Sequence, residues 1–126
     1  MPTSSLPLDV KDILTNHIES VAQLEVLFLF LKNKETKWSV SQISKELRSS
    51  DASAAKQVTL LLRSGFIKAA EDNCYVYSPV TEKIRDSVDN LYDVFQIKQV
   101  AVISFLYDKP NDKLKGFADA FKLRKD

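Results

Sequence analysis

The chain has 126 residues, 44% apolar and 28% charged, which is enough for one globular domain and short for two. Two glycines and four prolines argue against a turn-rich all-β sandwich and for a mainly helical chain. With 18 Lys and Arg against 17 Asp and Glu there is no whole-chain basic bias, so any nucleic-acid contact must be local.

Val10, Ile13, Leu14 and Ile18 fall at helical spacing and predict a first helix across residues 9–18. Ser20 with Gln23 is a capping-box pattern, in which each side chain satisfies a free backbone N–H of the helix start. Val21, Leu24, Phe28 and Leu31, with Leu27 beside them, then give a strongly apolar face and predict the central core helix, which ends in the polar stretch KNKETK. Ser39 with Gln42 repeats the capping pattern ahead of Val40, Ile43 and Leu47, a helix of eight or nine residues that stops near Arg48. Ser49 or Ser50 caps the next helix, and Asp51 suits the dipole of its first turn. Ala54, Ala55, Val58, Leu61 and Leu62 are expected inward, and Gly65 supplies the left-handed residue that closes the C-terminus. Two short helices joined by a tight polar turn are a helix-turn-helix. The runs FIKAA and CYVYS, parted by the polar EDN, predict a small β-hairpin after it.

The expected fold is therefore mainly α with a small β-hairpin. The order of helix, short helix, second helix and hairpin is that of a winged helix. The stretch SVSQISKEL…AAKQVTLLLRSGFIKAAEDNCYVYS resembles the MarR-like and related bacterial winged-helix regulators, above all in LLLRSGFI, over roughly residues 20–80. The resemblance implies a winged helix-turn-helix domain at 20–78, flanked by an N-terminal extension helix at 1–19 and C-terminal helices at 79–126. It also implies a homodimer formed by the terminal helices and binding to double-stranded DNA.

Beyond the hairpin, Ser78 before Pro79 is a candidate helix start. Ile84, Val88, Leu91 and Phe95 follow at spacings of four, three and four, which mark a helix seam and the candidate dimer contact. Apolar residues continue through Val102 and Phe105, so this helix either runs to about Tyr107 or bends near Gln96. Lys109 and Pro110 end it. Asn111 or Asp112 then starts a last helix with the apolar stripe Leu114, Phe117, Ala118 and Phe121. The tail KPNDKLKGFADAFKLRKD resembles an ending found in small bacterial winged-helix proteins, and no activity follows from that.

At 100° per residue, the helix beginning at Asp51 is expected to point Ala52, Ser53, Lys56, Leu60 and Arg63 outward, with Gln57 and Thr59 at the edges. Ser53, Lys56 and Gln57 are the candidates for base edges or phosphates in a major groove, and Lys45, Arg48 and Arg63 for phosphates. Two features oppose this. Glu71 and Asp72 stand at the hairpin tip, where resembling regulators often carry Arg or Lys. Leu60 on the outward face fits a thymine methyl or a protein interface equally well.

One His, one Cys and scattered carboxylates offer no catalytic cluster, no phosphate-cradling glycine loop and no metal-ligand spacing, so neither an enzyme nor a cofactor or metal site is expected. His17, Trp38 and Cys74 read as packing residues. The single Cys74 excludes an internal disulfide framework and fits a reducing compartment. The start MPTSSLPLDV lacks the pattern of a signal peptide. The most apolar run, VLFLFL at 26–31, is far below the roughly 20 residues that span a bilayer. A cytoplasmic protein without a membrane partner is expected. The leading functional expectation is a sequence-specific transcription regulator; the alternative is a winged-helix protein-interaction module using Leu60 or the Leu114, Phe117 and Phe121 stripe.

Overall fold

A computed structural model describes residues 6–108, so the expected last helix and its Leu114–Phe121 stripe lie outside the described residues. The described chain is mainly helical, with six helices and one three-stranded antiparallel sheet. In order these are α1 (Leu8–Asn16), α2 (Val21–Lys32), β1 (Trp38–Ser39), α3 (Val40–Glu46), α4 (Asp51–Arg63), β2 (Ile67–Ala69), β3 (Cys74–Tyr77), α5 (Glu82–Ile97) and α6 (Gln99–Asp108).

Helix α2 is apolar on nearly every side because it is enclosed: Leu24 and every residue from Val26 to Leu31 are buried. Its start is a variant of the expected cap. Ser20 Oγ accepts from the Gln23 N–H at 3.1 Å, but the side-chain Oε1 of Gln23 accepts from the N–H of Glu19, at 2.8 Å, one residue upstream of Ser20. Gln23 Nε2 donates to the His17 carbonyl at 2.7 Å, so this fully buried amide uses both of its ends.

The capping box of α3 is complete, with Ser39 Oγ accepting from the Gln42 N–H and Gln42 Oε1 accepting from the Ser39 N–H. At its other end the Ser49 N–H donates to the Ser44 carbonyl and the Arg48 N–H to the Lys45 carbonyl. This is the two-bond Schellman closure, and it puts Arg48 in the left-handed region at φ 54°. Helix α4 ends the same way: Phe66 N–H donates to Leu61 and Gly65 N–H to Leu62, with Gly65 at φ 80°. Here glycine is required twice over, since a Cβ at 65 would stand 2.7 Å from Val80 Cγ2.

The sheet order is β1-β3-β2. The expected hairpin is present as β2 and β3, in the register Ile67↔Tyr77 to Ala69↔Tyr75, and its turn carries Asp72 and Asn73 at φ 60° and 57°. The added strand β1 pairs Trp38 with Tyr75 and Ser39 with Cys74. A two-residue strand has no periodicity to read, so the sequence does not announce it.

The later helices correct one expectation and decide between two others. Helix α5 is capped by Thr81, whose Oγ1 accepts from the Ile84 N–H at 3.1 Å, and not by Ser78. The Ser78 N–H instead donates to the Phe66 carbonyl and the Val80 N–H to that of Gly65, which prolongs the hairpin pairing past β3. The helical path breaks at Lys98, separating α5 from α6. Part of the seam expected to face a second chain already packs on the core of this one. Val88 and Leu91 are fully buried, Ile84 and Phe95 pack against the same cluster, and α1 lies along α5. Phe28 of α2 meets Tyr92 and Phe95 at ring-centroid distances of 5.1 and 5.2 Å. Asn90 Nδ2 donates to Asp9 at 2.7 Å and fixes the start of α1 on α5. One buried cluster thus runs from Leu6 to Leu106, across the expected boundaries at 19 and 78.

Candidate nucleic-acid interface

Helices α3 and α4 pack on each other and α4 packs on α2, leaving one long side of α4 outward. Its buried stripe is Ala54, Gln57, Val58 and Leu61, at i, i+3, i+4 and i+7. The opposite side presents Ala52, Ala55, Lys56, Thr59, Leu62 and Arg63. The twelve residues from Ala52 to Arg63 extend about 16 Å along the axis. Ser50 Oγ caps the helix by accepting from the Ser53 N–H at 3.0 Å. The Ser44 hydroxyl donates to the Asp51 carboxylate, tying α3 to the first turn of α4.

This face is turned relative to the one read from the sequence, and the expected site residues divide accordingly. Lys45, Arg48, Lys56 and Arg63 are all exposed, and among the described residues none of the four enters an ion pair. Ser53 is half-buried at the side of the face. Gln57 is not available for base contact: it is 5% exposed, on the core side, and its Oε1 is buried without a hydrogen-bond partner among the described residues. Ala55 and Leu62, expected inward, point outward, while Leu60 is half-buried. The physical reason is the run Leu60-Leu61-Leu62, in which hydrophobicity does not say which leucine turns in; packing selects Leu61, which is fully buried. Thr59 Oγ1 donates to the Ala55 carbonyl one turn back, so its proton is committed to the helix itself.

The acidic hairpin tip is altered by a residue that the sequence pattern did not single out. Lys37, just ahead of β1, makes a 2.8 Å ion pair with Glu71. This hydrogen bond holds the Glu71 carboxyl below the usual carboxylate range, and the Lys37 ammonium is correspondingly raised. Both groups lie on the surface, so the pair changes local charge rather than stability. Lys37 and Glu71 are 34 positions apart, and only the pairing of β1 with β3 brings them together.

The remaining polar candidates are structural. The His17 ring packs edge-on against Phe66 at 5.7 Å. Trp38 packs against the core, with a buried Nε1 that has no partner among the described residues. A cavity of about 270 Å³ between α1 and the start of α5 is lined in part by Asp9, Asp12, His17 and Lys83. Its two carboxylates are already bonded to Asn90 and Asn16. Among the described residues no three His, Cys, Asp or Glu side chains are grouped to hold a metal ion, and no helix is long and apolar enough to cross a membrane. Comparison of the chain with protein-family models, curated proteins and solved structures returns no match.

Proposed function

We propose that residues 20–78 act as a winged helix-turn-helix and that the chain binds double-stranded DNA, with sequence preference, through the outward face of α4, as a transcription regulator. The observation that carries this reading is the make-up of that face. Ala52 and Ala55 are small enough for the first turns of α4 to approach base edges, and Lys56 reaches into the same groove. Lys45, Arg48 and Arg63 surround it as phosphate contacts, and Ser53 stands at its edge. The element order helix, strand, helix, helix, strand, strand, with the first strand beside the last, supports the reading, as does the pairing of Glu71 by Lys37.

Val88 and Leu91 of the expected dimer seam are buried within the chain, while Ile84 and Phe95 are half-buried, and a homodimer paired through the terminal helices belongs to the same reading, with two α4 helices on one two-fold site. Titrating a short duplex at several salt concentrations tests it. Lys45→Ala and Arg63→Ala each weaken all sequences alike and lower the salt slope by about 1, whereas Lys56→Ala costs about 1–3 kcal/mol on the preferred site and less elsewhere. No binding at low salt overturns the proposal. A second reading, a protein-interaction module, is favoured by Leu62, which is 36% exposed on the same face, with the exposed Val80 near the end of α4. Under that reading Leu62→Ser abolishes capture of a protein partner and leaves DNA binding absent throughout.

A further inference from the structure

Helices α1 and α5 lie side by side but part over the first turns of α5, leaving the cavity of about 270 Å³. Helix α1 cannot settle into this gap, because both of its ends are tied. Asp9, in its first turn, accepts from Asn90 Nδ2 at 2.7 Å. At the other end the His17 carbonyl accepts from Gln23 Nε2 at 2.7 Å, and the His17 ring packs on Phe66 at 5.7 Å. The cavity is therefore a preformed feature of the packing.

Its lining sorts by helix. The floor is apolar, with Ile13 of α1 buried and Ile84 of α5 half-buried. The α1 wall is anionic. Asp9 already accepts on both oxygens, from the Val10 N–H and from Asn90, but Asp12 commits only Oδ1, to Asn16, and its Oδ2 has no bond among the described residues. The α5 wall is cationic. Lys83 enters no ion pair among the described residues, and its acidic neighbour Glu82 is taken up by Arg85 at 3.1 Å. Asp12 and Lys83 thus line one cavity without pairing to each other, and half-buried His17 and Ser87 add a polar group to each wall.

We propose that this cavity binds a small zwitterion with an apolar side chain, an α-amino acid, with its ammonium group on Asp12, its carboxylate on Lys83 and its side chain on Ile13 and Ile84. The separation of charge selects the class. A ligand with a single charge satisfies one wall and leaves the other facing it unpaired, whereas a zwitterion meets both. The apolar floor calls for a hydrocarbon or thioether body between the charged ends. Size sets the rest: at about 30 Å³ for each water-sized group, the cavity holds on the order of nine non-hydrogen atoms, which is the size of leucine or methionine.

The proposal is independent of the DNA-binding reading and is tested on the full chain, by calorimetric titration and by mapping of amide chemical shifts. The probes are L-valine, L-leucine, L-isoleucine, L-methionine and L-phenylalanine. At least one is expected to bind with a Kd of about 1 mM or tighter and to shift amides within 12–17 and 81–87. For the tightest binder, the analogues lacking the ammonium group or the carboxylate, which for leucine are isocaproate and isoamylamine, are expected to bind about tenfold or more weakly. Asp12→Asn is expected to erase the first difference and Lys83→Met the second, with Tm unchanged, since both side chains are exposed. The analogue comparison is made on the parent chain and holds whether or not either variant is stable. Absence of binding by all five amino acids at about 10 mM overturns the proposal. So does equal binding of a singly charged analogue, or shifts confined to residues outside the cavity.

Discussion

Gln57 and Gln23 are both glutamines buried inside helical packing, and they are expected to respond to the same substitution with opposite sign. Gln57 is 5% exposed, and its Oε1 is buried with no hydrogen-bond partner among the described residues. Replacing it with Leu removes an unpaired carbonyl, a desolvation penalty of about 1–3 kcal/mol, and substitutes a side chain of similar volume. Repacking of the branched leucine recovers less than the whole gain, so a net stabilisation of about 1–2 kcal/mol is expected. For a domain of this size that is a rise in Tm of roughly 3–8 °C. In Gln23→Leu the Glu19 N–H and the His17 carbonyl, bonded at 2.8 and 2.7 Å, lose their partners, and a loss of about 1–3 kcal/mol follows. Urea and thermal unfolding of the two variants measure both signs. Base preference is expected to be unchanged in Gln57→Leu, because the side chain faces the core. Destabilisation by more than about 1 kcal/mol, or relaxed sequence preference, in Gln57→Leu would refute the placement of this residue.

Gly65→Ala combines a left-handed φ of 80° with a Cβ 2.7 Å from Val80 Cγ2, so a loss of about 2–4 kcal/mol is expected by urea unfolding, relieved in part by Val80→Ala. Arg48 holds φ 54° without being glycine. Arg48→Gly is therefore expected to leave stability unchanged or raise it by up to about 1 kcal/mol while weakening DNA binding, whereas Lys45→Gly, inside α3, costs about 1 kcal/mol. Burial, helped by Asp89 and opposed by Arg85, pushes the Tyr77 hydroxyl up to about 12. The unfolded chain loses this proton near pH 10.0 and the folded chain later, so the contribution to stability is complete below pH 10.0 and is lost as pH rises toward about 12. Tyr77→Phe is expected to remove that part of the alkaline decline in Tm and to cost little stability at neutral pH, since the hydroxyl has no partner among the described residues.

What was legible in the sequence was what a few adjacent residues decide. The caps at Ser20, Ser39 and Ser50 and the close at Gly65 depend on one side chain and the next turn, and each stands where the pattern put it. The hairpin was legible for the same reason, from two β-rich runs around a polar turn. What failed depends on distant partners. Ser78 and Thr81 are equally competent caps, and the choice falls to Thr81 because the segment 78–80 is held by the carbonyls of Phe66 and Gly65. The spacing of Ile84, Val88, Leu91 and Phe95 says that a face packs on something, not that α1 and Phe28 of α2 are among what it packs on. On α4 the charged candidates came out exposed because charge alone keeps them in water. Gln57 did not, because an amide at the border of an apolar stripe is placed by the helix rotation, and three consecutive leucines leave that rotation undetermined. The Lys37–Glu71 pair required the register of β1 on β3.

Selection of bound sites from a random double-stranded DNA pool, run in parallel on the parent chain and on Lys56→Ala, tests the central claim most directly. Enrichment of one defined element by the parent chain is expected, with Lys56→Ala losing preference at one or two positions inside each α4 contact. A pool that stays random with the parent chain, or an element unaffected by Lys56→Ala, would contradict it.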